Sequence, residues 1–255
     1  MSGTFNDDGS IDWADGRIIT VLGQKRTGKS VMANFHASTY PGDVVVIDVA
    51  GDDGPKGEGV HTITGDITTL PTKWPEHLRD DDGGNMILRF VPDPGSPTYA
   101  EDIDAMVGLA MAHALQQRHR GRRGALLLVH EIGVVAKESK VGPHMLRALM
   151  HNRHNGLSII ACGPRAYRLQ PLVRSQADVL YIFRLASPSD RKLLADTVGW
   201  PPADFDEQMN EVRGHSYLRV DLNEDDGEDE EGEVDERVLL CPPLPKDLVD
   251  EVTAL

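Results

Sequence analysis

A chain of 255 residues, 40% of them apolar, is long enough to bury one large α/β core, or one core with a small appendage. Its two cysteines, Cys162 and Cys241, make neither a disulfide framework nor a metal-binding spacing, and no apolar run is long enough to span a membrane. The net charge of −15 excludes a uniformly basic surface, yet residues 111–175 carry eleven Lys and Arg against two acids, while residues 224–236 carry ten acids and no base.

Residues 1–15 are acidic and polar and lack the basic and apolar stretches of a signal peptide. Residues 17–22 (Arg-Ile-Ile-Thr-Val-Leu) predict a strand running into a glycine-rich loop, and residues 30–37 the helix after it. Residues 43–48 form an apolar run without alternation, the pattern of a strand covered on both faces. A Gly- and Asp-rich loop (51–59) and a short β-like piece (60–64) follow, then a strand at 85–91 ended by Pro92. Over residues 98–117, Ile103, Met106, Val107, Ala110, Met111 and Leu115 recur at helical spacing, with Ser96-Pro97 as the start. Residues 124–129 predict a buried strand ending at His130-Glu131, and residues 143–154 a helix with proline in its first turn. Strands at 157–162 and 178–183 precede a helix from Ser187 to about Val198. Residues 217–222 and 237–241 pair as a hairpin whose long connection is the acidic run, read as a solvated loop. Strands alternating with helices make a mostly parallel sheet in three layers, with a segment at 1–16, a core at 17–215 and a hairpin with tail at 216–255.

The sharpest motif is Gly-Gln-Lys-Arg-Thr-Gly-Lys-Ser at 23–30, a phosphate-binding P-loop set between an apolar strand and a helix. Gly23 and Gly28 let the backbone turn inward. The amides of Gln24, Lys25, Arg26 and Thr27 then face an anion, and Val31 opens the helix whose positive end faces the same charge. Lys29 is expected on the β- and γ-phosphates of ATP, and Ser30 on Mg²⁺. About a hundred residues on, the strand ending in His130-Glu131 supplies the second acidic site. Glu131 is the expected base for the attacking water, and His130 and Glu131 are expected to reach the metal through water. Most P-loop enzymes hold an aspartate where His130 stands, and a neutral imidazole contributes no negative charge.

A third constellation runs from the helix end Asn152-Arg153-His154-Asn155-Gly156, through a buried strand, to Leu169 and the Val-Arg-Ser-Gln-Ala-Asp run at 173–178. Together with the P-loop, the strand ending in Glu131 and the terminal hairpin, it resembles the FtsK/HerA-type DNA-pumping ATPases, and within them the genome-packaging ATPases of viruses. The likeness spans most of residues 17–241 and rests on order and spacing; of its pieces only the P-loop is specific alone. It implies a RecA-like core working as a pentameric or hexameric ring around double-stranded DNA in the host cytoplasm, with a capsid vertex or portal protein as partner. It also implies an arginine reaching into the neighbouring subunit's site: Arg153 matches best, then Arg147, then Arg174. The polar residue that follows the strand at 158–162 in the family is replaced here by Gly163-Pro164, which, with His130, bears on turnover rather than on binding.

Arg118, Arg120, Arg122 and Arg123 in a basic loop, with Arg165 and Arg168, are the DNA-contact candidates, since arginines on loops hold phosphates without reading sequence. A solubilising loop or salt bridges between subunits would use the same residues. His151 and His154 have no cysteine or acid to complete a metal set. Two other readings stay open: a cellular or conjugative translocase of the same superfamily, and an ATP-binding assembly protein with little turnover.

Overall fold

Aliphatic runs without alternation place buried side chains on both faces of a strand, and that requirement organises the molecule. In the computed structural model, which describes residues 10–13, 16–57, 59–70, 85–137, 140–223 and 238–254, the elements follow in this order. Strand β1 (Ile18–Leu22) leads to helix α1 (Lys29–Ser38), then β2 (Asp43–Asp48), β3 (Val60–Gly65), β4 (Ile87–Pro92), α2 (Tyr99–His119) and β5 (Ala125–His130). The short α3 (Ile132–Val135), β6 (Ala136–Lys137) and β7 (Lys140–Val141) lead to α4 (Pro143–Asn155) and β8 (Leu157–Gly163). Next come α5 (Pro171–Ser175), β9 (Val179–Ile182), α6 (Pro188–Val198), α7 (Pro202–Glu211), β10 (Tyr217–Asp221), β11 (Val238–Cys241) and α8 (Lys246–Ala254).

Nine of these strands form one sheet in the order β11-β10-β9-β1-β8-β5-β2-β4-β3. The seven from β9 to β3 run parallel, and β10 and β11 add antiparallel at one edge as the expected hairpin. The fold is α/β, with helices on both faces of a mostly parallel sheet. One face (Ile19, Val21, Val44, Val46, Leu128, Ile160) packs on Met32, Ala33 and Ala37 of α1 and on Ile11, Trp13 and Tyr40. The other (Ile18, Leu22, Val45, Phe90, Leu127, Ile159) packs on α2, α4, α6 and α7 through Met106, Leu149, Leu194 and Phe205.

The β-like piece at 60–64 is a full strand at the sheet's outer edge, paired in parallel with β4. Helices α7 and α8 are absent from the sequence reading. In α7 only Phe205 and Met209 are buried, a stripe too thin to stand out in an acidic segment opened by Pro201-Pro202. The acidic run at 224–236 and most of the N-terminal segment lie outside the described residues. Among the described residues no helix is long and apolar enough to cross a membrane.

Because the strands are parallel and in register, everything that follows a strand gathers at one edge of the sheet. Leu22 of β1 aligns with Gly163 and Ile182, and Asp48 of β2 aligns with His130. The loops after β1, β2, β5 and β8 therefore open together, as ligand-binding loops do in such sheets.

Candidate active site

The P-loop leaves β1 through Gly23, whose φ of 151° lies at the margin of what side chains adopt. Space matters more: a Cβ on Gly23 would sit 2.5 Å from Cβ of Phe183. The Gly23 amide donates to the carbonyl of Gly163 at 3.3 Å and the Gln24 amide to that of Arg184 at 3.1 Å, tying the loop's root to both neighbouring strands. Gly28, at φ 104°, caps α1 without a side-chain hydrogen bond, so the helix start is open to an anion. Lys29, 9% exposed, folds back so that Nζ donates to the Gln24 carbonyl at 3.0 Å. Burial lowers its pKa, while nearby Cys162, Glu131 and Asp53 act the other way.

Across from it, β5 delivers His130 and Glu131. Glu131 is half-buried and left-handed, at φ 56° and ψ 49°, where it caps the short α3. Among the described residues only two non-glycines have positive φ, Arg26 and Glu131, and both belong to this site. Backbone strain of this kind costs of order 1 kcal/mol per residue and collects where function holds a side chain in place. His130 is 1% exposed; its ring pairs through Nε2 with Oδ1 of Asn34 at 3.2 Å. Burial pushes its pKa down to about 4 despite the nearby carboxylates of Asp48 and Asp53, so the ring is neutral at pH 7.

Two carboxylates and an amide at this site are missing from the sequence reading. Asp48 ends β2 fully buried, with Oδ2 accepting from Nη2 and Nε of Arg89 at 2.6 and 3.0 Å and from the Gly54 amide at 2.9 Å. Its Oδ1 accepts from the Gly51 amide at 3.0 Å. The loop is thus wound around Asp48, and it turns Asp53 toward α1, where Ser30 Oγ donates to Asp53 Oδ1 at 2.8 Å. Nδ2 of Asn34 donates to the Asp53 carbonyl at 2.9 Å. Asn34 lies four residues after Ser30 on the same helix face, a spacing legible in the sequence. Nothing local marks Asp53, because its position depends on β2 lying beside β4, whose Arg89 holds Asp48.

The donor set suits a nucleotide with a hard cation. The loop's amides and Lys29 are donors an anion requires, and the hydroxyl of Ser30 with the carboxylates of Asp53 and Glu131 are the kind of oxygen ligands or partners that Mg²⁺ prefers. Among the described residues there is no cluster of three or more His, Cys, Asp or Glu able to hold a metal alone, and Mg²⁺ held mainly through phosphates needs none.

The arginines divide between the two edges of the sheet. Arg153 precedes β8 and donates from Nη2 to Asp178 Oδ1 at 2.6 Å, with 56% of its side chain exposed. Since β1 has five residues, about 17 Å of strand separates this edge from the P-loop. Arg118 lies at the same edge, with Nη1 donating to the carbonyls of Arg153 and His154 at 2.7 and 3.1 Å, followed by the exposed Arg120, Arg122 and Arg123. Arg165 and Arg168 follow β8 and lie at the P-loop edge. Arg165 is engaged by Asp190 at 3.0 Å, and Arg168 is exposed. Arg174 donates to the carbonyls of Ala166 and Leu169 at 3.0 and 2.7 Å, bracing its own loop. Arg147 is exposed along α4. The six DNA-contact candidates therefore do not share one face of the chain.

Over 91% of its length the chain superimposes, with a TM-score of 0.64 and 17% identity, on the whole of the genome-packaging NTPase B204 from Sulfolobus turreted icosahedral virus 2, solved with ATP-γ-S. The chain has a P-loop NTPase fold. The bacterial conjugative coupling protein TrwB shares this P-loop NTPase fold at 11% identity and a TM-score of 0.60, over 95% of this chain and 89% of that one. EssC (ATPases 2 and 3) from Geobacillus thermodenitrificans shares it at 12% identity and a TM-score of 0.53, over 95% of this chain and 43% of that one. No family model and no curated protein sequence matches the chain.

Proposed function

We propose that this chain is an ATPase that moves double-stranded DNA, acting as a homo-oligomeric ring in the packaging of a viral genome. One observation carries the reading. A P-loop and a strained glutamate open on the same edge of the sheet, in a fold that the whole of B204, a packaging NTPase, matches over 91% of this chain. TrwB supports the broader reading of a DNA translocase, and B204's full-length match favours packaging over conjugative transfer.

The roles follow from chemistry. The P-loop amides and Lys29 hold the β- and γ-phosphates; on binding, Lys29 exchanges its bond to the Gln24 carbonyl for phosphate oxygen. Ser30 would hold Mg²⁺, which would supply positive charge against the charge developing on the phosphates. Glu131, fixed by its left-handed backbone, orients the attacking water and accepts its proton. Arg153 is too far from its own P-loop to take part there, so its role is in the neighbour's site, stabilising charge on the transferred group. Arginines 118, 120, 122 and 123 contact DNA phosphates, with Arg165 and Arg168 on the other edge.

The test is ATP turnover with and without duplex DNA, on the wild type and on Lys29→Ala and Glu131→Gln. The expected result is DNA-stimulated hydrolysis, lost in both variants, with nucleotide binding lost only in Lys29→Ala. Intact oligomers that bind ATP but never hydrolyse it, whatever the DNA, would refute the motor and favour an assembly protein.

A further inference from the structure

The strand end that ordinarily supplies a carboxylate beside the P-loop hydroxyl here supplies His130, which is buried, neutral and engaged with Asn34. Asp48, its neighbour in register, is equally removed: fully buried, its oxygens are taken up by Arg89 and by backbone amides of the following loop. Neither group leaves a free charge for a cation at Ser30.

The structure assigns that charge to Asp53, as the positioning carboxylate of the metal site, supplied from the loop after β2 instead of from the end of β5. Three observations carry this. Ser30 Oγ donates its proton to Asp53 Oδ1 at 2.8 Å, which turns the hydroxyl's lone pairs away from Asp53 and leaves them for a cation. Asp53 is only half-buried, so its second oxygen can accept from a metal-bound water. The residue is also held in place from two sides. The loop's amides converge on Asp48, and Asn34 fixes the Asp53 carbonyl at 2.9 Å. Gly54 is part of the device, because a Cβ there would lie 2.9 Å from Arg89 Nε and 3.0 Å from Asp48 Oδ2. The buried Asp48–Arg89 pair thus has a purpose: it shapes the loop that delivers Asp53.

The inference rests on the nucleotide-binding reading and is tested by binding, without turnover. The affinity of the full-length protein for AMPPCP is measured by calorimetry with Mn²⁺ and with EDTA, and Mn²⁺ binding is followed by electron paramagnetic resonance. Asp53→Asn keeps the shape and a hydrogen-bond acceptor for Ser30 but removes the charge. It is expected to lose about tenfold of the metal-dependent affinity, the usual cost of removing an outer-sphere metal partner, with its EDTA affinity unchanged. Asp53→Glu, which restores the charge, recovers part of the loss. Asp53→Asn with undiminished metal dependence overturns the inference and leaves the nucleotide site standing. So does a variant that loses EDTA affinity as well, since Asp53 would then brace the loop rather than the metal. A wild type that binds AMPPCP under neither condition overturns both.

Discussion

Glu131 carries two burdens that pull against each other. In the proposed mechanism its carboxylate must face the P-loop, and its backbone lies in the left-handed region, which a non-glycine enters at a cost of about 1 kcal/mol. Glycine adopts φ 56° freely and lacks the carboxylate. Glu131→Gly is therefore expected to keep or raise stability, by up to about 1 kcal/mol, while turnover falls at least a hundredfold. Thermal unfolding and steady-state ATPase measurements check both halves. A clear drop in melting temperature would mean that the side chain, not function, holds this conformation. Arg26, the other left-handed non-glycine, shows the same tension within the P-loop itself.

At the scale of elements, α1 and β5 each bury a histidine that must stay neutral. His36 of α1 is enclosed by Trp13, Phe35 and Tyr181, and its Nε2 has no partner among the described residues. Burial pushes its pKa down to about 4, as it does for His130. In the unfolded chain both titrate near 6.5. Between pH 6.5 and 4 the unfolded chain takes up protons that the folded one refuses. Their contribution is thus full above about pH 6.5, declines as pH falls toward 4 and stays level below that, by about 3 kcal/mol for each histidine. Urea unfolding at pH 7.5 and pH 5 should show a falling midpoint, and His36→Phe should show a visibly smaller fall. An equal fall in the variant would place the acid sensitivity elsewhere. These same elements show what the sequence makes legible. β1, β2, β5 and β8 stand out because strands buried on both faces lose their alternation, and the P-loop because its glycines are required by close approach to Phe183. Asp53 does not stand out, because the cage that aims it joins Asp48 to Arg89 across 41 residues and exists only once β2 lies between β5 and β4.

For the whole molecule, the parallel sheet sets a polarity. In the proposed motor, phosphate chemistry belongs to the edge where the strands end, and Arg153 with Arg118, Arg120, Arg122 and Arg123 lies at the edge where they begin. A surface that offers an arginine at one edge and needs one at the other is complementary to a copy of itself placed head to tail, the arrangement that closes into rings. In the proposed ring, a subunit lacking Lys29 still offers Arg153, and a subunit lacking Arg153 still offers a P-loop. Mixing Lys29→Ala with Arg153→Ala should therefore rebuild complete sites wherever the second kind receives the first kind's arginine, at roughly a quarter of interfaces in a random equal mixture. Arg153→Ala is suited to this test because the buried Asp178 keeps partners on both oxygens without it, the Ile18 amide and the Asn223 side chain, each donating at 2.6 Å. Each variant alone should hydrolyse ATP at background, and the mixture should regain a measurable fraction of wild-type turnover after subunits exchange. Should Arg153→Ala alone keep full turnover, or the exchanged mixture stay silent, Arg153 would be a helix-end residue bound to Asp178 and no more, and the same mixing experiment with Arg147→Ala would take its place.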